Sequence, residues 1–227
     1  MHARRTLAVR TGPVAARCSW FTAGLRPEDR HHAPYLVPVD VETVEIFTSL
    51  LALVALAGAV LLVVARLLSP RVAIAREAGS AVADAGPWLL FLVAAGATAG
   101  SLYFSEVANF VPCRLCWFQR TAMYPLSVIL LVAAIRRDRG ARFYVVPIAA
   151  AGAIVSSYHY LLEWKPSLEG GACAAVGPRC ADIWFRELGF VTLAFMALAG
   201  FITIIVFSLV SFPDADDPDA RQRSELP

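Results

Sequence analysis

Four stretches of this chain carry no formal charge over a length suited to a bilayer. They are Ile46 to Ala65, Ala85 to Ser105, Phe143 to Leu162 and Leu188 to Pro213. Each holds roughly 20 residues or more, enough for an α-helix rising about 1.5 Å per residue to cross about 30 Å of hydrocarbon. A fifth run, Thr121 to Ile135, reaches that length only if Cys116-Trp-Phe-Gln-Arg120 is counted at its start. One such helix buried in a soluble core is plausible; four or five in one small chain are not. The pattern predicts an all-α integral membrane protein. Five candidate spans are expected.

The remaining segments are polar. Residues 1–40 are rich in Arg and Pro and have no apolar periodicity or signal-peptide core. They read as a disordered or misassigned extension, with a start near Val39 or Val41, and Cys18 then plays no part. Residues 213–227 read as a polar cytoplasmic tail. Short loops set the orientation, because cytoplasmic loops collect Lys and Arg. Arg66, Arg71 and Arg76 follow the first span, and Arg136, Arg137, Arg139 and Arg142 follow the third. Both loops are expected inside. Glu106 to Arg114 and the long loop Glu163 to Glu187 are then expected on the extracytoplasmic side, where disulfides persist. Six arginines before residue 31 argue against an outside N-terminus, and so against that segment in the mature protein.

Composition agrees with the pattern. Hydrophobic residues make up 58% and charged residues 17%, against nearer half and a quarter in soluble domains. Lys165 is the only lysine, which with the abundant Ala and Val suggests a GC-rich source. A net charge of +2, with no basic stripe or nucleic-acid motif, gives no reason to expect a nucleic-acid partner. Membrane lipid is the expected surrounding.

The orientation places four cysteines together on the outer face. Cys113-Arg-Leu-Cys116 puts two sulfurs within bonding reach at the start of a helix. Cys116 is expected near unsatisfied backbone N–H groups and the positive end of the helix dipole, both of which favour thiolate. Arg120, four residues on, shares its face and could hold an anionic oxygen; the plainer reading is a headgroup anchor. Cys173 and Cys180 form a second pair in a Gly-rich loop. They read as a disulfide open to another protein, as a static staple, or with the first pair as a four-cysteine zinc site, though zinc sites more often use two close pairs. His159 lies about one turn, roughly 6 Å, inside the Glu163 boundary, a depth it shares with Arg120. Ionisable groups at that depth are site candidates. Tyr103, Phe104, Phe110, Trp117, Trp184 and Phe185 gather at the same level, as an interface belt and as walls for a ring-shaped ligand.

At these residues the chain resembles the DsbB/BdbC family of disulfide-bond-formation oxidoreductases. The matching pieces are Pro112-Cys-Arg-Leu-Cys-Trp-Phe-Gln-Arg-Thr-Ala-Met-Tyr-Pro125, Ser157-Tyr-His-Tyr160 and Cys180-Ala-Asp-Ile-Trp-Phe-Arg-Glu-Leu-Gly189. The resemblance implies a four-helix transmembrane bundle over residues 86–212, to which one extra N-terminal transmembrane helix over residues 44–68 is added, and a quinone-dependent thiol oxidase that reoxidises a DsbA/BdbD-like thioredoxin-fold partner. It implies that Cys173 and Cys180 take the electrons, Cys113 and Cys116 relay them, and Cys116 meets the quinone. Arg120 and His159 would form the quinone site, with menaquinone favoured over ubiquinone and no metal. The short Cys173 to Cys180 spacing is that of BdbC-like members, and the first span has no counterpart in the family core. Two alternatives stay open: a vitamin-K-epoxide-reductase-like enzyme, whose paired cysteines should follow the loop pair, and a scaffold or metal-handling protein with structural cysteines.

Overall fold

The structure, a computed structural model, describes residues 40–68, 73–169 and 178–211. The expected N-terminal extension, Cys173 and the C-terminal tail lie outside the described residues. Five α-helices follow one another: α1 (Val41–Leu68), α2 (Ala73–Leu102), α3 (Arg114–Arg136), α4 (Arg142–Trp164) and α5 (Leu193–Ser211). A π-helical turn, Tyr103–Val107, extends α2, and 3-10 turns precede and follow α4. Among the described residues the only strand-like feature is an isolated bridge between Glu187 and Val191.

The helices α2, α3, α4 and α5 form a closed ring in which each packs on the next and α5 returns to α2. Helix α1 lies outside the ring against α5 and α2, and packs on neither α3 nor α4 to a comparable extent. These are the five helices that the charge-free runs predict, arranged as the four-helix bundle plus one added helix that the resemblance implies. Val41–Leu68, Ala85–Val107, Arg114–Arg136 and Arg142–Trp164 are each long and apolar enough to cross a membrane, and the apolar stretch of α5, Leu193–Leu209, is shorter. Large apolar side chains such as Phe47, Val54, Leu61 and Leu67 stand exposed along α1, as expected for a helix whose outer solvent is lipid.

Two helix starts depart from their charge-free runs for reasons that charge alone does not carry. Helix α2 starts at Ala73, twelve residues earlier than its run, because the preceding Ala-rich segment is helical although it carries charge. Helix α5 starts at Leu193, later than Leu188. Leu188 and Gly189 take φ of 52° and 79°, the left-handed region, in a tight turn closed by the backbone bonds between Glu187 and Val191. Thr192 then caps α5, its Oγ1 accepting the Phe195 N–H at 3.2 Å.

The core centres on Leu90, Leu126, Leu130, Val145, Phe201 and Ile204, all nearly free of solvent contact. In a bilayer, helix association rests on close packing and small residues rather than on escape from water. Ala149, Gly152 and Ser156 make such a stripe on α4. A Cβ added at Gly152 would run into the Phe201 ring. Gly152→Ala is therefore expected to destabilise the bundle by about 1–3 kcal/mol, the usual cost of overpacking. Thermal unfolding in detergent checks this; an unchanged midpoint would show that the Phe201 ring can give way.

Candidate active site at the dithiol

The antiparallel ring brings the start of α3 and the end of α4 to the same end of the bundle, with the start of α5. The chain reaches α3 by a defined path. The π-turn closes with the Ala108 N–H donating to the Tyr103 carbonyl at 3.0 Å. Asn109 then takes φ of 58°, a left-handed conformation that Asn tolerates well. Cys113 follows Pro112 in an extended conformation and serves as the N-cap of α3. Its Sγ accepts the Cys116 N–H at 3.3 Å, in the place usually held by a Ser or Asp oxygen. The Cys116 N–H at the helix end thus serves the Cys113 sulfur.

The Cys113 and Cys116 Sγ atoms lie 3.0 Å apart. A disulfide at about 2.05 Å needs only a small further approach. Cys113 is buried and Cys116 half-buried. The contact with Cys116 and then burial push the Cys113 thiol up to about 12, while its contact with His159 acts in the opposite direction.

His159 reaches this pair from α4. Its Nε2 is 3.6 Å from Cys113 Sγ and 3.0 Å from the Cys180 carbonyl oxygen. The Gln119 amide N–H donates to His159 Nδ1 at 3.2 Å. Nδ1 is therefore the acceptor, and Nε2 carries the hydrogen that it donates to the Cys180 carbonyl. One imidazole joins the segment around Cys180 to the dithiol. Cys180 is fully buried and packs with Cys113, Leu115 and Leu162 in one apolar cluster, with Cys116 against it. Its backbone N–H donates to Glu169 Oε1 at 2.6 Å.

Aromatic side chains clasp the two cysteine segments. Phe110, just before Cys113, stacks on Trp184, just after Cys180, with centroids 4.7 Å apart and planes within 7°. Phe104 stacks on Phe110 at 5.6 Å and touches Phe185 at 5.5 Å. Such pairs add about 0.5–1.5 kcal/mol each beyond buried area, enough to fix the register of the loop against α3. A narrow cleft lined by Cys113, Cys116, His159, Glu163 and Asp182 opens beside them. The Glu163 carboxylate accepts the Thr192 hydroxyl at 2.6 Å, tying the end of α4 to the start of α5.

Arg120 belongs to a different neighbourhood. Its Nη2 donates to the Ser101 carbonyl on α2 at 2.9 Å, and its guanidinium lies 5.3 Å from the Trp117 ring centroid. Tyr124 donates to Ser101 Oγ at 3.3 Å on the same side. Of the six predicted site residues, the structure brings together Cys113, Cys116, His159 and Cys180. Arg120 stands one turn along from Cys116, and Cys173 lies outside the described residues. Gln119, Glu163 and Glu169 were not singled out from the sequence. Gln119 had a signal, since i+3 from Cys116 is the same helical face. Glu163 follows His159 at i+4 and had the same one. Nothing in the pattern pointed to Glu169.

The chain belongs to the DsbB family: the profile described as disulfide bond formation protein DsbB matches residues 84–211, more than half of the chain. It is 44% identical over 120 residues to disulfide bond formation protein C of Bacillus subtilis, covering 53% of this chain and 85% of that protein. It is 46% identical over 116 residues to probable disulfide formation protein C 1 of Bacillus anthracis, covering 50% of this chain and 82% of that protein. A probable disulfide formation protein of Coxiella burnetii is 36% identical over 130 residues, covering 57% and 86%. No solved structure gives a significant match. Family and apolar helices together make this a multi-pass membrane protein. The family match begins after α1, so the added helix lies outside it.

Proposed function

We propose that this protein is a quinone-linked thiol oxidase that reoxidises a DsbA/BdbD-like thioredoxin-fold partner. One observation carries the reading: Cys180 is buried in the same apolar cluster as Cys113, whose sulfur stands 3.0 Å from that of Cys116. A relay needs that order of contacts. The extracytoplasmic side is the proposed location of these cysteines.

The partner's thiolate attacks the Cys173–Cys180 disulfide at Cys173. The full burial of Cys180 supports this choice, since a protein-sized nucleophile has no path to it. Cys180 is released and attacks Cys113, and Cys116 leaves as a thiolate. The partner's second thiol then takes the partner off Cys173 as a closed disulfide. The freed Cys173 attacks Cys180, which restores the loop disulfide and leaves Cys113 and Cys116 both reduced. Each exchange keeps the number of disulfides constant. In sum the partner has lost two electrons and two protons, and the dithiol holds them. His159 holds the Cys180 backbone beside Cys113 throughout.

A bound quinone supplies the oxidant, accepting two electrons and two protons. The strength of the oxidant matters, because a DsbA-type disulfide sits at about −120 mV and another thiol pair would not reoxidise it readily. The residues suit such a ligand. Arg120 is half-buried beside the Trp117 ring, and one of its N–H groups is engaged by Ser101 among the described residues. A guanidinium carries five, so donors remain to hold a quinone oxygen next to Cys116. Arg120 and His159 are the polar groups we assign to this site, Arg120 toward Cys116 and His159 toward Cys113 and Cys180. Menaquinone is favoured over ubiquinone on composition alone.

Arg120→Gln is expected to lower kcat/KM for a soluble quinone analogue by about 10–100-fold, the size of a lost charged hydrogen bond of roughly 1.5–3 kcal/mol. Exchange with the partner in the absence of quinone should stay at the parent rate. Unchanged quinone kinetics would return Arg120 to the role of a headgroup anchor. The function itself is tested on purified protein in detergent with a reduced thioredoxin-fold partner. One quinone analogue should be reduced per partner disulfide formed. Absence of quinone reduction would sink the oxidase reading.

A further inference from the structure

The three side chains that meet at the dithiol also have the chemistry and spacing of a metal site. Cys113 Sγ, Cys116 Sγ and a His159 ring nitrogen all lie within 4.8 Å of one another. We propose that the reduced protein binds a thiophilic d10 cation, Zn2+, through Cys113, Cys116 and His159 Nε2, and that the disulfide form does not. Binding itself is independent of the oxidase reading; only the arrest of turnover that would follow rests on it.

The geometry supports this in numbers. Tetrahedral zinc with Zn–S near 2.3 Å and Zn–N near 2.0–2.1 Å places sulfur and nitrogen about 3.6 Å apart and two sulfurs about 3.8 Å apart. Cys113 Sγ and His159 Nε2 already stand at 3.6 Å. The sulfurs stand at 3.0 Å, so a shift of roughly 0.8 Å, within the freedom of one χ1 rotation, would open them to the zinc spacing. Three protein ligands leave the fourth position for water, which the cleft past Asp182 can admit.

The imidazole must present a lone pair at Nε2, where a hydrogen is now held. Gln119 makes that change possible. It donates to Nδ1 at 3.2 Å in the present tautomer. With its amide turned, its oxygen accepts a hydrogen from Nδ1 instead, since Gln carries both donor and acceptor. A ligating His whose other nitrogen is fixed in this way is the usual arrangement around zinc. The balance is simple: Zn2+ enters, two thiol protons leave, and no electron moves. Once the sulfurs are oxidised to each other neither is a thiolate ligand, so the site exists only in the reduced half of a redox cycle.

The test uses the full chain in detergent, with Zn2+ competing against a chromophoric chelator. A phosphine-reduced sample should bind one zinc with at least about 100-fold higher affinity than a quinone-oxidised one. Co2+ in place of zinc should give an intense thiolate-to-metal absorption and tetrahedral visible bands in the reduced sample only. Gln119→Leu should weaken binding by about 10–100-fold, the range for a supporting partner of a ligand. His159→Ala should weaken it at least as much. The double variant Cys173→Ser, Cys180→Ser should still bind. Equal binding by oxidised and reduced protein would overturn the proposal without any variant. So would loss of zinc in the double variant with retention in His159→Ala, which is the result of a four-cysteine site.

Discussion

Cys116→Ser is expected to lower quinone-dependent oxidation of the partner by more than about a thousandfold, as the loss of a covalent nucleophile does. The reason is positional. Cys113 is buried, caps α3 and faces His159 and Cys180. Cys116 is half-buried and shares its helical face with Arg120. In the proposed relay Cys116 passes electrons onward on the Arg120 side while Cys113 deals with the loop. A serine keeps the shape and the helix but supplies no thiolate at neutral pH. The rate of quinone analogue reduction with a reduced partner measures this directly. Survival of more than a small fraction of that rate would remove Cys116 from the relay.

Cys180→Ser should act differently. Oxidation of the protein partner is expected to fall to background, because Cys173 alone cannot form the disulfide that the partner attacks. Quinone reduction driven by a small dithiol should largely persist, because half-buried Cys116 is open to a small nucleophile that does not need the loop pair. The ratio of the two rates is the informative quantity. Equal loss of both would mean that Cys180 supports the fold of the site rather than a separate step. Equal survival of both would mean that the loop pair is a staple, the plainer reading of that spacing.

The bundle was legible because lipid imposes a coarse rule: long stretches without charge. That rule found all five helices, while other forces set two of their starts. Helix α2 runs back to Ala73 through charged residues, since helix formation does not require a charge-free surface outside the hydrocarbon. Helix α5 begins after a left-handed turn at Leu188 and Gly189 that apolar composition does not reveal. At the site, the spacing of Cys113 and Cys116 announced itself. The approach of His159 did not follow from the chain alone, because it depends on how α3 and α4 pack across an interval of 46 residues. Depth in the membrane brought His159 and Arg120 to notice together, yet their contacts differ: His159 bonds at the cysteines and Arg120 at Ser101 on α2. That α3 is capped at Cys113, whose sulfur takes the Cys116 N–H, is a matter of one residue at the helix boundary. That is the scale at which helix boundaries are least readable from sequence.

The central claim is a direction of electron flow, from Cys180 to Cys113 and from Cys116 to quinone. Trapping tests it most directly. Quinone-depleted protein, oxidised at both pairs, is mixed anaerobically with one equivalent of a thioredoxin-fold partner whose second thiol is replaced by Ser, so that the partner stays on Cys173 and the next link is not resolved. The mixture is acid-quenched, free thiols are alkylated, and disulfide-linked peptides are identified by mass spectrometry. The account predicts a Cys113–Cys180 link with alkylated Cys116. A Cys116–Cys180 link, or no link between the two pairs, would contradict it.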